Sequence, residues 1–416
     1  MRPPATFVAL QHRNFRLLSA GQIISITGSM MQNAAILWHV ALLAPPDRKG
    51  LALGLVGLVR ILPILLFSAV GGVMADARDR RRPLLVTQSC LTLVAATLAW
   101  TAWTGHARLW TVYVLAALGS AAGAFDGPAR QSLLPNLVPR EHLPNAIGLM
   151  TILFQVGAVA GPSLGGIVIA ASGVAAAYLV NAVSFLAVIL ALLLMRGVPR
   201  RAEGSTGEVT LHAALEGFRF VFRTPTIRGS MLLDFFATFF SSATALLPIF
   251  AQDILRVGPL AYGWLYASTS VGALFAGAVM VRAVDRIHRR GRVLFGAVFA
   301  YGVATIAFGL SRQFWLTFLC LALVGASDTV STVLRNVIRQ LSTPDSLRGR
   351  MTSVNMMFFM GGPQLGEMEA GLIAQGFGAP VSVVSGGLAC ILATGWLAAK
   401  TPELRRYERE ETEARC

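Results

Sequence analysis

Long apolar runs alternate with short polar segments along almost the whole chain. An α-helix rises about 1.5 Å per residue, so roughly 20 apolar residues cross the ~30 Å hydrocarbon core of a bilayer. The pattern predicts twelve such spans, numbered in chain order. Their predicted limits are 15–42, 52–75, 84–104, 108–128, 143–170, 173–195, 227–253, 260–282, 292–311, 314–334, 351–375 and 380–399. We therefore expect an all-α membrane protein with twelve transmembrane helices.

The composition agrees with this interpretation. Of the 416 residues, 55% are hydrophobic and 13% are charged, and the mean hydropathy is +0.64, which ordinary soluble domains do not show. The bilayer is therefore the first partner that we expect. The cysteines form no CxxC pair and the histidines form no HExxH motif, so no metal site is predicted.

The net charge of +15 would suggest nucleic acid if the protein were soluble. With both termini placed in the cytoplasm, 29 of the 35 lysines and arginines fall in cytoplasmic segments. This is the positive-inside distribution of membrane proteins, and it makes a nucleic-acid partner unnecessary. The same placement counts Arg130 and Arg335 among the cytoplasmic charges, and it leaves Arg60 as the basic residue inside a span.

The chain contains an internal repeat. RQSLLPNLVPREHLPNAIGLM runs from Arg130 towards GPSLGG, and RNVIRQLSTPDSLRGRM runs from Arg335 towards GPQLGE. The pattern predicts two pseudo-symmetric six-helix bundles, residues 1–195 and 227–416, joined by a cytoplasmic linker, 196–226, that includes an amphipathic helix. Two similar halves in one orientation are typical of transporters that bind their substrate between the halves.

Polar side chains recur at helical spacing on two of the spans. Lipid offers such a stripe no hydrogen-bond partner, so each stripe faces other helices or a cavity. A cavity that mixes hydrogen-bonding groups with phenyl rings suits a small amphipathic, aromatic substrate, although the phenylalanines of span 7 could equally face lipid. The candidate substrate-binding residues are Gln22, Ser25, Ser29, Gln32 and Asn33 on span 1, and Thr238 and Phe239 on span 7.

Two motifs resemble those of the major facilitator superfamily. The loop GVMADARDRRR (72–82) is similar to the GxxxDRxGRR loop of that superfamily, with Ala77 and Asp79 in place of the usual Arg and Gly. The matching loop positions are Gly72, Asp76, Arg80 and Arg81. The stretch GLMTILFQVGAVAGPSLGG (148–166) matches the antiporter motif of the drug exporters of the superfamily at Gly148, Gly157, Gly161, Pro162, Gly165 and Gly166.

Three further segments, 60–76, 125–138 and 362–374, resemble the branch that contains bacterial siderophore exporters of the enterobactin-exporter type. The resemblance implies a proton-coupled exporter that moves a small amphipathic molecule out of the cytoplasm by alternating access. A siderophore is the preferred substrate. A multidrug or macrolide antiporter and a lysophospholipid flippase are the alternatives. It also implies a monomer in the bacterial inner membrane with both termini cytoplasmic. No Walker loop and no GxSxG elbow occurs, so we expect no enzyme activity and no cofactor beyond the proton gradient.

Charged residues inside spans are costly and suggest functional roles. Spans 2 and 11 face each other in the resembling family, so Arg60 is expected to form an outer gate with Glu367 or Glu369. The alternative is that Arg60 snorkels and the glutamates bond locally. For proton coupling, Asp234 is the first choice, Asp328 the second and Asp126 the third, since burial penalises a charged carboxyl. Asp126 and Asp328 could instead bond to nearby backbone.

The glycines at 157, 161 and 165 lie four residues apart and form two overlapping GxxxG steps. Such a face lets another helix approach closely. By the resemblance, that neighbour is span 8, which offers Gly272, Ala276 and Gly277.

Overall fold

The computed structural model describes residues 5–74, 81–196, 218–344 and 347–408, and within these residues the chain is helical without a strand. Helix labels follow the predicted span numbers. The first four are α1 (Arg13–Leu43), α2 (Lys49–Met74), α3 (Arg81–Trp103) and α4 (Leu109–Leu133). A short 3-10 helix, Ala5–Gln11, precedes α1.

The next helical stretch, Leu143–Leu194, contains two helices. Its 52 residues would extend about 78 Å at 1.5 Å per residue, more than twice the hydrocarbon core. The stretch is divided at Gly173, where φ is 79°, into α5 (143–172) and α6 (174–194). Gly378 has φ of 89° at the corresponding junction of the second half. Both junctions use the left-handed region, which glycine enters without steric cost.

The second half begins with α7 (Pro225–Phe240), which does not run on regularly to the end of its predicted span. It breaks at Ser241 and Ser242 and continues as short irregular helices to Ile254. A Cβ added at Gly366 or Gly386 would collide with the carbonyl oxygen of Phe239 or Phe240, so both glycines leave room for the broken backbone. Backbone freed at such a break is stable in a membrane only where neighbouring helices cover it.

The remaining long helices are α8 (Pro259–Ala283), α9 (Arg290–Leu310), α10 (Phe314–Leu341), α11 (Arg348–Phe377) and α12 (Ala379–Lys400). Nine helical segments of the described ranges are long and apolar enough to cross a membrane, and one of these, Arg140–Leu194, holds both α5 and α6. The helices α1 and α11 have sufficient length but carry more polar residues. The structure is therefore consistent with the twelve predicted spans.

The chain divides into two compact units. The first comprises Met1–Glu208 with Ala251–Ala267, and the second comprises Val209–Phe250 with Ser268–Cys416. One buried core of the first unit joins α1, α3, α4, α5 and α6 through residues such as Phe15, Leu84 and Val188. A core of the second unit joins α7, α9, α10 and α12 through residues such as Leu233, Leu294 and Leu334.

The glycines of the antiporter motif pack mainly against α1, and the expectation that they pack against Gly272, Ala276 and Gly277 of α8 is wrong. A Cβ added at Gly157 would lie 2.5 Å from Ile26 Cγ2, and one at Gly161 would lie 2.6 Å from the carbonyl oxygen of Thr27. The neighbour of Gly272 is instead the backbone of Ala322 on α10.

Gly166 is the motif residue that meets α8. A Cβ there would lie 2.7 Å from the carbonyl oxygen of Pro259 and 3.0 Å from the Cα of Gly263. Successive helical residues are about 100° apart, so Gly166 faces a different helix from Gly157, Gly161 and Gly165. One short motif therefore packs α5 against two helices.

Candidate functional site

Side chains from α1 to α6 of the first unit line a partly open cavity of about 300 Å³, which we call the first-unit cavity. Four of the five polar residues predicted on span 1 line it, namely Ser25, Ser29, Gln32 and Asn33. Gln22 is 1% exposed and does not line the cavity. The polar stripe of α1 is thus covered by neighbouring helices, as a bilayer requires.

Arg60 projects from α2 into this cavity. Its Nη2 donates a hydrogen bond to Asn33 Oδ1 at 3.4 Å, which is at the long limit for such a bond. Glu367 and Glu369 lie on α11, in the second unit. The predicted gate pairs residues of different units, so it stays a prediction.

Asp126 lines the same cavity and is surrounded by donors from two helices. Thr87 Oγ1 and Gln88 Nε2 donate to its Oδ1 at 3.0 and 2.7 Å. Arg130 Nη2 donates to its Oδ2 at 2.5 Å, one turn along α4. Three donors hold this carboxylate in place, which is the geometry of a fixed acceptor that joins α3 to α4.

The second unit contains a buried arginine between two carboxylates, which we call the Arg335 cluster. Arg335 Nη2 lies 2.8 Å from Asp234 Oδ1 of α7 and 3.7 Å from Asp328 Oδ1 of α10. The side chains of Arg335 and Asp234 are 1% and 2% exposed, whereas that of Asp328 is 44% exposed. Ser331 and Thr332 accept further hydrogen bonds from the guanidinium, at 2.9 and 2.7 Å.

The two ion pairs occupy related places in the internal repeat. Arg130 and Arg335 begin the two copies, so Asp126 corresponds to Ser331, four residues before each arginine. In the second copy a hydroxyl replaces this carboxylate, and the counter-charge comes instead from Asp234 on α7. The second arginine therefore joins two helices where the first pairs within its own helix.

Arg335 is the functional candidate that the sequence interpretation missed. It was placed among the cytoplasmic charges of the positive-inside pattern, yet it is 1% exposed, as Arg339 is 3% exposed and Arg290 6% exposed. A signal for Arg335 was present, because Asp328 and Ser331 precede it by seven and four residues and share its helical face. A basic residue with this spacing belongs to a buried polar face as readily as to a helix end.

The other predicted residues of the second unit, Thr238 and Phe239, lie on α7, the helix that carries Asp234. Thr238 Oγ1 donates to the backbone oxygen of Asp234 at 2.9 Å and is thus satisfied within α7. The rings of Phe239 and Phe235 stack with centroids 5.5 Å apart, and Phe235 also meets Phe358 of α11 edge to face. These rings are half-buried, so they form part of the packing of the second unit.

The loop motif is described only at its ends. Gly72 lies in the last turns of α2, while Asp76 and Arg80 fall outside the described residues. Arg81 opens α3, and its Nη2 donates to the carbonyl oxygen of Leu192 at the end of α6. No group of three histidine, cysteine or acidic side chains in the described ranges could hold a metal ion.

The chain, a helical membrane protein of two compact units, is a secondary transporter of the major facilitator superfamily, as its similarity to known proteins shows. Among solved structures, a bacterial homologue of the human lysosomal transporter Spinster aligns with a TM-score of 0.76 at 15% identity, over 95% of this chain and 99% of that one. A bacterial homologue of the iron transporter ferroportin aligns with a TM-score of 0.70 at 17% identity, over 94% and 98%. At these identities the likeness shows the fold alone.

The chain belongs to the transmembrane secretion effector family of this superfamily, which it matches over residues 4–416. It is 26% identical to the enterobactin exporter EntS of Shigella boydii serotype 18, over 397 residues that cover 95% of this chain and 94% of the relative. The EntS of Escherichia coli O1:K1 matches with the same identity and coverage. The family and these relatives are transporters.

Proposed function

We propose that the protein exports a siderophore-type small molecule from the cytoplasm and that inward movement of protons drives the export. The observation that supports the substrate class is the similarity to enterobactin exporters over 95% of the chain. The protein would act in the inner membrane of a bacterium, as a monomer with both termini cytoplasmic. It would leave the substrate chemically unchanged.

The charge balance of the Arg335 cluster supports proton coupling. A buried cation needs one counter-charge, and the cluster offers two carboxyls, Asp234 and Asp328. With a proton on one carboxyl the cluster is neutral, whereas without that proton it carries one net negative charge in an apolar surrounding. The cluster therefore has a place for one proton.

Asp328 is the better carrier of this proton than Asp234, which reverses the order expected from the sequence. Asp234 is 2% exposed and lies in direct contact with Arg335, so it serves as the permanent counter-ion. Asp328 lies 3.7 Å from the same nitrogen and is 44% exposed, so a proton can reach it and leave it. Arg335 would approach Asp328 more closely once the proton has left.

A deletion strain grown under iron limitation tests the proposed substrate. We expect secreted siderophore to fall and intracellular siderophore to rise, and the wild-type gene to restore secretion. Asp47→Asn is a matched control, because this carboxyl is 73% exposed and lies outside both the cavity and the cluster. It should restore secretion fully.

Normal siderophore secretion by the deletion strain would exclude the proposed substrate. Increased drug sensitivity of such a strain would then favour the multidrug alternative, and a defect in lysophospholipid uptake into the inner leaflet would favour the flippase.

A further inference from the structure

Among the described residues that line the first-unit cavity, positive charges outnumber negative charges by one. Arg60, Asp126 and Arg130 line it, and the last two form an ion pair at 2.5 Å. Arg60 is left with the neutral amide oxygen of Asn33, at 3.4 Å, as its hydrogen-bond partner among the described residues. A guanidinium inside a membrane span is costly without a counter-charge, so the cavity favours an anionic ligand.

The cavity also presents a buried acceptor that lacks a donor. Gln88 is 0% exposed and lines the cavity. Its Nε2 donates to the carboxylate of Asp126 at 2.7 Å, which fixes the orientation of the amide, because a carboxylate accepts and the amide nitrogen must face it. The other end of the amide, Oε1, has no hydrogen-bond partner in the described part of the chain. A buried acceptor in this state favours a ligand that brings a hydroxyl or N–H group.

The walls between these polar groups are apolar and partly aromatic. Leu91, Leu115, Phe154 and Phe185 line the cavity together with Ile36. A volume of about 300 Å³ is at the lower end of the range for small-molecule sites, enough for one substituted ring. A larger substrate would place only a part of itself there.

We propose that the first-unit cavity binds a hydroxylated aromatic anion, with Arg60 binding the anionic oxygen and Gln88 accepting the hydrogen bond of the hydroxyl. The proposal rests on the proposed function, since it assigns to the exported molecule the chemical group that the first unit recognises. Arg60 is then a residue that determines specificity. The apolar walls bind the ring, and the ion pair of Asp126 with Arg130 holds Gln88 in orientation.

Binding of three small probes to the purified full-length protein tests this site. The probe 3-hydroxybenzoate carries a carboxylate and a hydroxyl that is too far from it for an internal hydrogen bond, benzoate lacks the hydroxyl, and 3-hydroxybenzamide lacks the charge. A hydrogen bond to a charged group is stronger than a neutral one. We therefore expect 3-hydroxybenzoate to bind about tenfold more tightly than 3-hydroxybenzamide, and several-fold more tightly than benzoate.

Single-residue variants test which side chain causes each difference in probe affinity. Arg60→Gln should lower 3-hydroxybenzoate affinity to about that of 3-hydroxybenzamide. Gln88→Met should lower 3-hydroxybenzoate affinity to about that of benzoate. Arg48→Gln is the matched control, because this arginine is 70% exposed and lies outside the cavity. Its binding of all three probes should equal that of the wild type.

Equal affinities of the wild type for the three probes would overturn the proposal, and so would a preference for 3-hydroxybenzoate that survives Arg60→Gln. The probe series on the wild type decides the matter even if Gln88→Met fails to fold. The assay uses no gradient and no cells, so its outcome is independent of siderophore secretion. Selective probe binding together with the absence of a secretion defect in the deletion strain would support the binding site and exclude the proposed function. A secretion defect in that strain together with equal binding of the probes would support the proposed function and exclude the binding site.

Discussion

At the scale of single residues, the most consequential side chain is Arg335. Its guanidinium is buried between two carboxyls and two hydroxyls, in a helix end that the sequence places at the cytoplasm. Burial of a charge is unfavourable, so such an arrangement is seldom optimal for stability alone. The proposed role of the cluster in proton coupling would explain why this unfavourable burial is kept.

Removing one partner of the buried pair should destabilise the protein strongly. Arg335→Gln leaves Asp234 buried without its counter-charge, and we expect a loss of about 3–5 kcal/mol in the free energy of unfolding. The double variant Arg335→Leu with Asp234→Leu should recover most of this loss while abolishing export. Thermal unfolding in detergent measures both effects. A single variant as stable as the wild type would show that the two charges are not paired.

Asp328→Asn should separate transport from its driving force. The neutral amide mimics the protonated carboxyl, so the cluster stays neutral and the fold should remain intact. We expect export driven by a pH gradient to be lost in proteoliposomes, while exchange of substrate across the membrane without a gradient continues. Asp47→Asn should behave as the wild type in both assays. Gradient-driven export by Asp328→Asn would assign the proton to another residue.

At the scale of helices, the antiporter motif packs α5 against two neighbouring helices through different faces. Gly157 and Gly161 admit α1, and Gly166 admits the beginning of α8. A similar approach occurs between α8 and α10, where Gly272 and Gly325 each lie against the backbone of the other helix. Close contacts of this type replace the hydrophobic effect, which does not drive helices together in lipid.

The motif glycines should therefore differ in their tolerance of a side chain. A Cβ at Gly161 would lie 2.6 Å from both Met30 Cβ and the carbonyl oxygen of Thr27, whereas a Cβ at Gly148 has no neighbour within 4 Å. We expect Gly161→Ala to reduce thermal stability and export, at a cost of about 1–3 kcal/mol for overpacking. Gly148→Ala should leave both unchanged. Equal effects of the two substitutions would contradict the packing explanation.

At the scale of the whole molecule, the repeat produces two units that resemble each other in layout but not in charge. In the described part of the first unit, Arg60 lies in a cavity with an amide oxygen as its partner, whereas the second unit holds a cation shared by two carboxyls. Substrate recognition and proton coupling would thus be divided between the copies. The helix ends that are rich in basic residues should lie on the cytoplasmic side of the membrane.

Reporter fusions test this topology. Alkaline phosphatase needs an oxidising compartment for its disulfides. We expect high activity when it is fused after Gly105, between α3 and α4, and low activity when it is fused after Arg286 or at the C-terminus. A fluorescent protein that folds in the cytoplasm should give the opposite pattern. High phosphatase activity at the C-terminus would reverse the proposed orientation.

The sequence by itself predicted the long apolar helices, the internal repeat and a boundary between spans 5 and 6, which lies at Gly173 in the structure. These features depend on hydropathy, segment length and repeated motifs, which are properties of a continuous segment. The stripe of α1 also followed from spacing alone, since four of its five polar residues line the cavity.

Only the tertiary structure decided which residues meet. The partners of Arg335, the contact of Arg60 with Asn33 and the packing of Gly161 against α1 depend on how each helix is rotated about its axis. That rotation is set by the packing of residues distant in sequence, such as Asp234 with Arg335, and no single segment encodes it. A buried arginine and a cytoplasmic arginine therefore look alike in the sequence until their neighbours are known.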